Sequence, residues 1–130
     1  MAESPYISLV RAVYESKADP AVLGEVVHPE IVWDITPGFP GGGVYNGLES
    51  VVRDFFGPLL ERLESFRPVG EEYYADGEDH VFALGSYHGV GKDGTAVAAR
   101  FIHVWTVRDG RLAHLRQVAD SLVLDRVLTG

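Results

Sequence analysis

Apolar positions follow a helical period near the start of this chain and an alternating one near its end. After Ser4-Pro5, a cap followed by a proline tolerated in a first turn, Ile7, Val10 and Tyr14 keep helical spacing. Asp19-Pro20 interrupts that run and opens a second short helix, Ala21 to Val27, ended by His28-Pro29. Ile31 to Thr36 is predicted as a strand, and residues 37–47, PGFPGGGVYNG, as a glycine-rich loop. Val51, Phe55, Leu59, Leu60 and Leu63 mark the apolar side of a longer helix from Gly47 to about Phe66, with Gly57-Pro58 as its kink. Four strands follow, Arg67 to Ala75, His80 to Val90, Thr95 to Val107 and Arg111 to Asp120, before a last short helix from Leu122 to Leu128.

That order is an α+β pattern. It predicts a curved antiparallel or mixed sheet of four to six strands, wrapped around three helices from the N-terminal half. The result is a cone with a pocket between helices and sheet. The 130 residues fit one domain, spanning residues 1–130, with no repeat or linker. The absence of cysteine excludes disulfides and thiolate metal sites and suits a reducing cytoplasm. No leader-like segment opens the chain and no apolar run approaches a bilayer's width, so a cytoplasmic protein without membrane contact is expected. With 11 basic and 19 acidic side chains, the net charge of −8 argues against binding a phosphate backbone.

The stretch from Ala98 to Asp120 carries the most chemistry. β-Branched and aromatic residues dominate both arms, and Asp109-Gly110 supplies the positive φ a hairpin turn needs. His103, Gln117 and Asp120 stand among Phe101, Ile102, Val104, Trp105, Leu115 and Val118. The ribbon is either an ordinary two-faced hairpin or the wall of a binding site. A two-residue turn would put His103 on the face of Arg116 and Asp120. A three-residue turn with a bulge would put it with Leu115 and Gln117. The sequence leaves both open.

Several segments resemble the nuclear-transport-factor-two-like superfamily, and its SnoaL-like and ketosteroid-isomerase-related branch most of all. They are Lys17-Ala18-Asp19, His28-Pro29-Glu30, Val44-Tyr45-Asn46-Gly47, the run from Phe101 to Leu112, and the terminal Asp120. The resemblance implies the cone fold, a homodimer through the outer face of the sheet, and a small hydrophobic ligand in the cone. It also implies cofactor-free acid/base chemistry of an isomerase or cyclase type on a carbonyl compound. The alternative is a non-catalytic ligand-binding or dimerisation module.

On that resemblance Asp34 matches the proton-shuttling base of ketosteroid isomerases, and Asp120 matches the acid/base of SnoaL-like cyclases. His103 would polarise the oxygen or relay a proton. Each has a plainer reading: a turn residue before Thr36-Pro37 for Asp34, the cap of the last helix for Asp120, a core histidine for His103. Tyr14, Trp33, Tyr45, Phe55, Tyr87, Phe101, Trp105 and Gln117 are the expected lining. The first-helix tyrosine of the isomerases falls near Arg11, with Tyr14 about a turn along, so their oxyanion hole is not reproduced. The epoxide-hydrolase pattern finds Arg100 but has Ile102 where a second aspartate belongs. The five histidines show no ligand spacing with carboxylates, so neither a metal nor another cofactor is expected.

Overall fold

The structure, a computed structural model, describes residues 4–129. Helix α1 (Pro5–Glu15) starts where Ser4 accepts the Tyr6 N–H, and α2 (Pro20–Val26) where Asp19 accepts the Ala21 N–H. In both, a proline occupies the first turn, where its missing N–H costs no helical bond. Strand β1 (Val27–Ile35) follows α2 without a gap, so it starts earlier than the alternation of Ile31 to Thr36 predicts. Within the expected glycine-rich loop, β2 (Gly43–Asn46) pairs with β1.

The long helix is shorter and less regular than its apolar pattern. It comprises α3 (Leu48–Ser50), a π-helical stretch (Val51–Phe56) and α4 (Gly57–Arg62), so wide turns precede the expected kink at Gly57-Pro58. It stops at Arg62 because Leu63 turns extended and pairs with Gly91. Leu63 satisfies the helical spacing and is buried, but it is buried as the first residue of β3 (Leu63–Ala75). Strands β4 (His80–Gly91), β5 (Ala96–Arg108) and β6 (Arg111–Ala119) complete the sheet, and α5 (Ser121–Thr129) follows.

The sheet order is β2-β1-β6-β5-β4-β3. All pairs are antiparallel except β1 with β6, which makes the sheet mixed and α+β. Its inner face holds the core with Val10, Val13 and Tyr14 of α1, Phe55 and Leu59 of the long helix, and Leu124 of α5. No helix among the described residues is long and apolar enough to cross a membrane.

The register of the last hairpin decides what faces this core. Arg108 pairs with Arg111, leaving a two-residue turn in which Asp109 and Gly110 both have positive φ. The pairing then slips between Val107–Leu112 and Thr106–His114, so Ala113 is an extra residue in β6. Leu112 and Ala113 are both buried, as a bulge requires. Beyond it His103 lies opposite Gln117 and Trp105 opposite Leu115. The short turn and the bulge occur together, a combination the two sequence alternatives did not contain.

Candidate functional site: a histidine between two tyrosines

His103 sits mid-strand on β5, buried to 3% exposure, with its ring stacked on Phe101 at 3.8 Å between centroids. Its Nδ1 lies 2.6 Å from the Tyr14 hydroxyl of α1, and its Nε2 2.7 Å from the Tyr87 hydroxyl of β4. Each phenol oxygen also receives a donor from the sheet. Trp105 Nε1–H donates to Tyr14 at 2.9 Å, and Gln117 Nε2–H donates to Tyr87 at 2.9 Å. Gln117, 1% exposed, accepts the Thr36 N–H through its Oε1 at 3.2 Å, which fixes which end of the amide faces Tyr87. The result is one buried chain of hydrogen bonds: Trp105, Tyr14, His103, Tyr87, Gln117 and Thr36.

Burial governs the charge of this chain. It lowers the His103 pKa to about 3 and raises both tyrosines, Tyr14 to well above the usual phenol range. Each shift disfavours the charged form. At neutral pH the imidazole and both phenols are uncharged, so the site presents hydrogen bonds and no ion.

The two aspartates expected to work with His103 lie elsewhere. Asp34 is on β1 beside buried Trp33 and points to the other face of the sheet, in a row with Val44 of β2 and Arg116 of β6. The alternation of β1 allows no other outcome once Trp33 is in the core. Asp120 is exposed. Its backbone N–H donates to the Arg100 carbonyl, and its Oδ1 accepts the Val123 N–H at the start of α5. That is a cap, which the following Ser121-Leu122 suggested. The Ala113 bulge is also why Arg116 is on the outer face while Gln117 is inside. The structure therefore brings His103 together with Gln117, Tyr14, Tyr87, Phe101 and Trp105, and does not bring it to Asp34 or Asp120. Tyr14, placed by the sequence reading about a turn past the isomerase tyrosine, does reach His103.

Trp33 packs against Phe55, Phe56 and Trp105, and its Nε1 is buried with no hydrogen-bond partner among the described residues. Tyr45 is partly exposed; its ring is tilted against that of Phe55, and its hydroxyl donates to the Gly41 carbonyl at 2.6 Å. The residue the sequence reading missed is Phe39. It belongs to the glycine-rich loop, yet it is 3% exposed and seated 5.4 Å from Tyr87 and 6.4 Å from Phe55 between ring centroids. Gly42 lets the loop fold this tightly, because a Cβ there would lie 2.5 Å from the Thr36 carbonyl oxygen. A lone phenylalanine between prolines and glycines was the available signal. Among the described residues, Asp76, Asp79 and His80 cluster at the exposed β3–β4 turn, remote in sequence and fold from this site.

Residues 10–115 match the family described as the SnoaL-like domain. The chain belongs to the SnoaL-like family. An NTF2-like protein of Burkholderia thailandensis E264 is 28% identical, with 98% of each chain covered and a TM-score of 0.85. TerC, crystallised with polyporic acid, is 23% identical over 98% of this chain and 100% of its own, with a TM-score of 0.86. A SnoaL-like polyketide cyclase of Jannaschia sp. CCS1 is 19% identical over 100% and 98%, with a TM-score of 0.79. No curated protein matches the chain. These likenesses make the SnoaL-like, NTF2-like fold plain, and they leave its chemistry to the residues.

Proposed function

We propose that this SnoaL-like domain binds a small hydrophobic molecule inside its cone and contacts it through the neutral His103 chain, without a cofactor. The observation that carries this reading is the position of His103: both ring nitrogens engage phenols, inside an aromatic core, with no carboxylate beside them. A buried polar cluster of this kind, ringed by Phe39, Phe55, Phe101 and Trp33, has the make-up of a ligand site: apolar walls and a few convergent polar groups. The loop carrying Phe39 closes the site at one side.

An isomerase or cyclase acting on a carbonyl compound is the finer reading. It is favoured by the resemblance to ketosteroid isomerases and by the Jannaschia SnoaL-like polyketide cyclase, a fold likeness. Against it, Asp34 and Asp120 are outside the core, and an imidazole with a pKa near 3 is a poor proton acceptor at neutral pH. The binding reading is therefore the better supported. Exposed Ile102 and Val118, 47% and 58% accessible, with Val44 on the same outer face of the sheet, support the proposal that two copies pair there.

A fluorescent-probe displacement screen with apolar ketones tests the binding reading, using Phe39→Ala as the opened form. Saturable binding that broadens the His103 and Tyr87 resonances supports it. Binding that leaves those resonances untouched contradicts it.

A further inference from the structure

The hydrogen atoms of the buried chain do not balance. The donors along it are Trp105 Nε1–H, the Tyr14 hydroxyl, one N–H of neutral His103, the Tyr87 hydroxyl and the Gln117 amide hydrogen facing Tyr87. That makes five donors. The contacts joining them are Trp105–Tyr14, Tyr14–His103, His103–Tyr87 and Tyr87–Gln117, which makes four. Trp105 can only donate. Gln117 is held with its NH2 toward Tyr87 because its carbonyl oxygen takes the Thr36 N–H. Both ends therefore send hydrogens inward, and one phenol must keep a hydroxyl hydrogen that the chain cannot use.

The ring hydrogen of His103 decides which phenol: on Nδ1 it leaves the Tyr14 hydroxyl over, and on Nε2 the Tyr87 hydroxyl. With the hydrogen on Nε2, the Tyr87 oxygen accepts twice, from His103 and from Gln117, and its own O–H has no acceptor among the described residues. Trp33 Nε1–H is a second buried donor without an acceptor in the same core. Buried donors are nearly always paired, so two of them in one aromatic core point to a partner supplied from outside.

We infer that His103 carries its hydrogen on Nε2, on the side of the loop, and that the surplus O–H of Tyr87 is the point at which the site takes an oxygen acceptor of its ligand, with Phe39 giving up its place against the Tyr87 ring. This rests on the small-molecule reading and narrows it. The ligand is an apolar molecule carrying a carbonyl or similar acceptor oxygen. Phe39 is the side chain that can leave. It packs on Tyr87 and Phe55, but its backbone belongs to a loop bounded by Gly38, Gly41 and Gly43, all with positive φ.

A matched pair of probes tests this: 2-acetylnaphthalene, which accepts a hydrogen bond, and 2-ethylnaphthalene, which has the same shape and does not. Affinities for the native chain and for Tyr87→Phe are read by ligand-observed NMR. The ketone should bind the native chain about tenfold more tightly, and Tyr87→Phe should remove that advantage while keeping the hydrocarbon's affinity. Because Tyr87→Phe also deprives His103 of its acceptor and can unsettle the fold, the carbonyl stretching band of the bound ketone in the native chain is a second reading. It should shift to lower wavenumber than in hexane. Equal affinities with an unshifted band would overturn the assignment of Tyr87 and leave the binding reading standing. Binding of neither probe overturns both.

Discussion

Thr36 and Gln117 are joined by a hydrogen bond of 3.2 Å between the backbone N–H at the base of the glycine-rich loop and the side-chain oxygen of β6. This contact couples the loop that carries Phe39 to the polar chain that runs through His103. It sets the Gln117 amide, the amide sets Tyr87, and Tyr87 meets Nε2 of His103. A change in the loop therefore has a path to the imidazole that involves no change in the sheet.

His103 should behave as a structural keystone of this chain. Replacing it with leucine breaks both bonds to the imidazole and leaves a further phenol hydroxyl without an acceptor in the core, and a buried unsatisfied hydroxyl costs about 1–3 kcal/mol. His103→Leu is expected to lose roughly 3 kcal/mol in urea unfolding. Tyr14→Phe combined with it should cost about 1 kcal/mol less than the sum of the two, since they break the same bond. Strict additivity would show that Tyr14 and His103 do not interact.

The depressed pKa of His103 fixes the sign of a pH effect. In the unfolded chain the imidazole titrates near 6.5, and in the folded chain near 3. Between those values the unfolded state binds the extra proton, so stability falls as pH falls. The slope from this one group is about 1.4 kcal/mol per pH unit. Going from pH 7 to pH 5 should cost the native chain about 2 kcal/mol that His103→Leu does not lose. His80, whose pKa Asp76 raises by a hydrogen bond, acts in the opposite sense and is common to both proteins. Parallel pH profiles for the two proteins would refute the buried neutral imidazole.

Phe39 and Gly42 test the loop. Phe39→Ala removes a buried ring and is expected to cost about 3 kcal/mol. It should also open a space beside Tyr87, detected as uptake of indole or a naphthalene probe. Gly42→Ala forces a Cβ against the Thr36 carbonyl and should cost about 1–3 kcal/mol. Because that strain sits at Thr36, it should shift the Gln117 side-chain amide resonances, and unmoved resonances would show that loop and network are uncoupled.

On the outer face of the sheet, the groove of about 580 Å³ over Leu84, Arg100, Ile102 and Val118 is where a second copy would pack. Val118→Glu places a charge on this exposed apolar position. In sedimentation the native chain is expected as a dimer and the variant as a monomer, with little change in unfolding midpoint per chain. A monomeric native chain would remove the dimer from the account.

Much of the architecture was legible because local signals and tertiary demands agreed: Ser4-Pro5 and Asp19-Pro20 start helices, and Asp109-Gly110 turns a hairpin. His103 and Gln117 stood out as polar residues in apolar strands, and both are inside. What local pattern did not reveal came from pairing. Leu63 keeps helical spacing but is taken by β3, and the Ala113 bulge, invisible in composition, decides that Gln117 rather than Arg116 joins His103. Asp34 was drawn toward the site by resemblance, and the alternation about Trp33 turns it outward. Tyr14 and His103 are too far apart in sequence for any spacing rule to link them. Phe39 was hidden because loops are expected to be exposed.

The most direct measurement is a nitrogen-15 NMR titration of the His103 ring from pH 7.5 to 4.5. A neutral ring throughout, with Nε2 protonated and Nδ1 bare, is the expected result. A midpoint near 6.5 would contradict the buried neutral chain from Tyr14 through His103 to Tyr87 on which the account stands, and a proton on Nδ1 would move the surplus hydroxyl from Tyr87 to Tyr14.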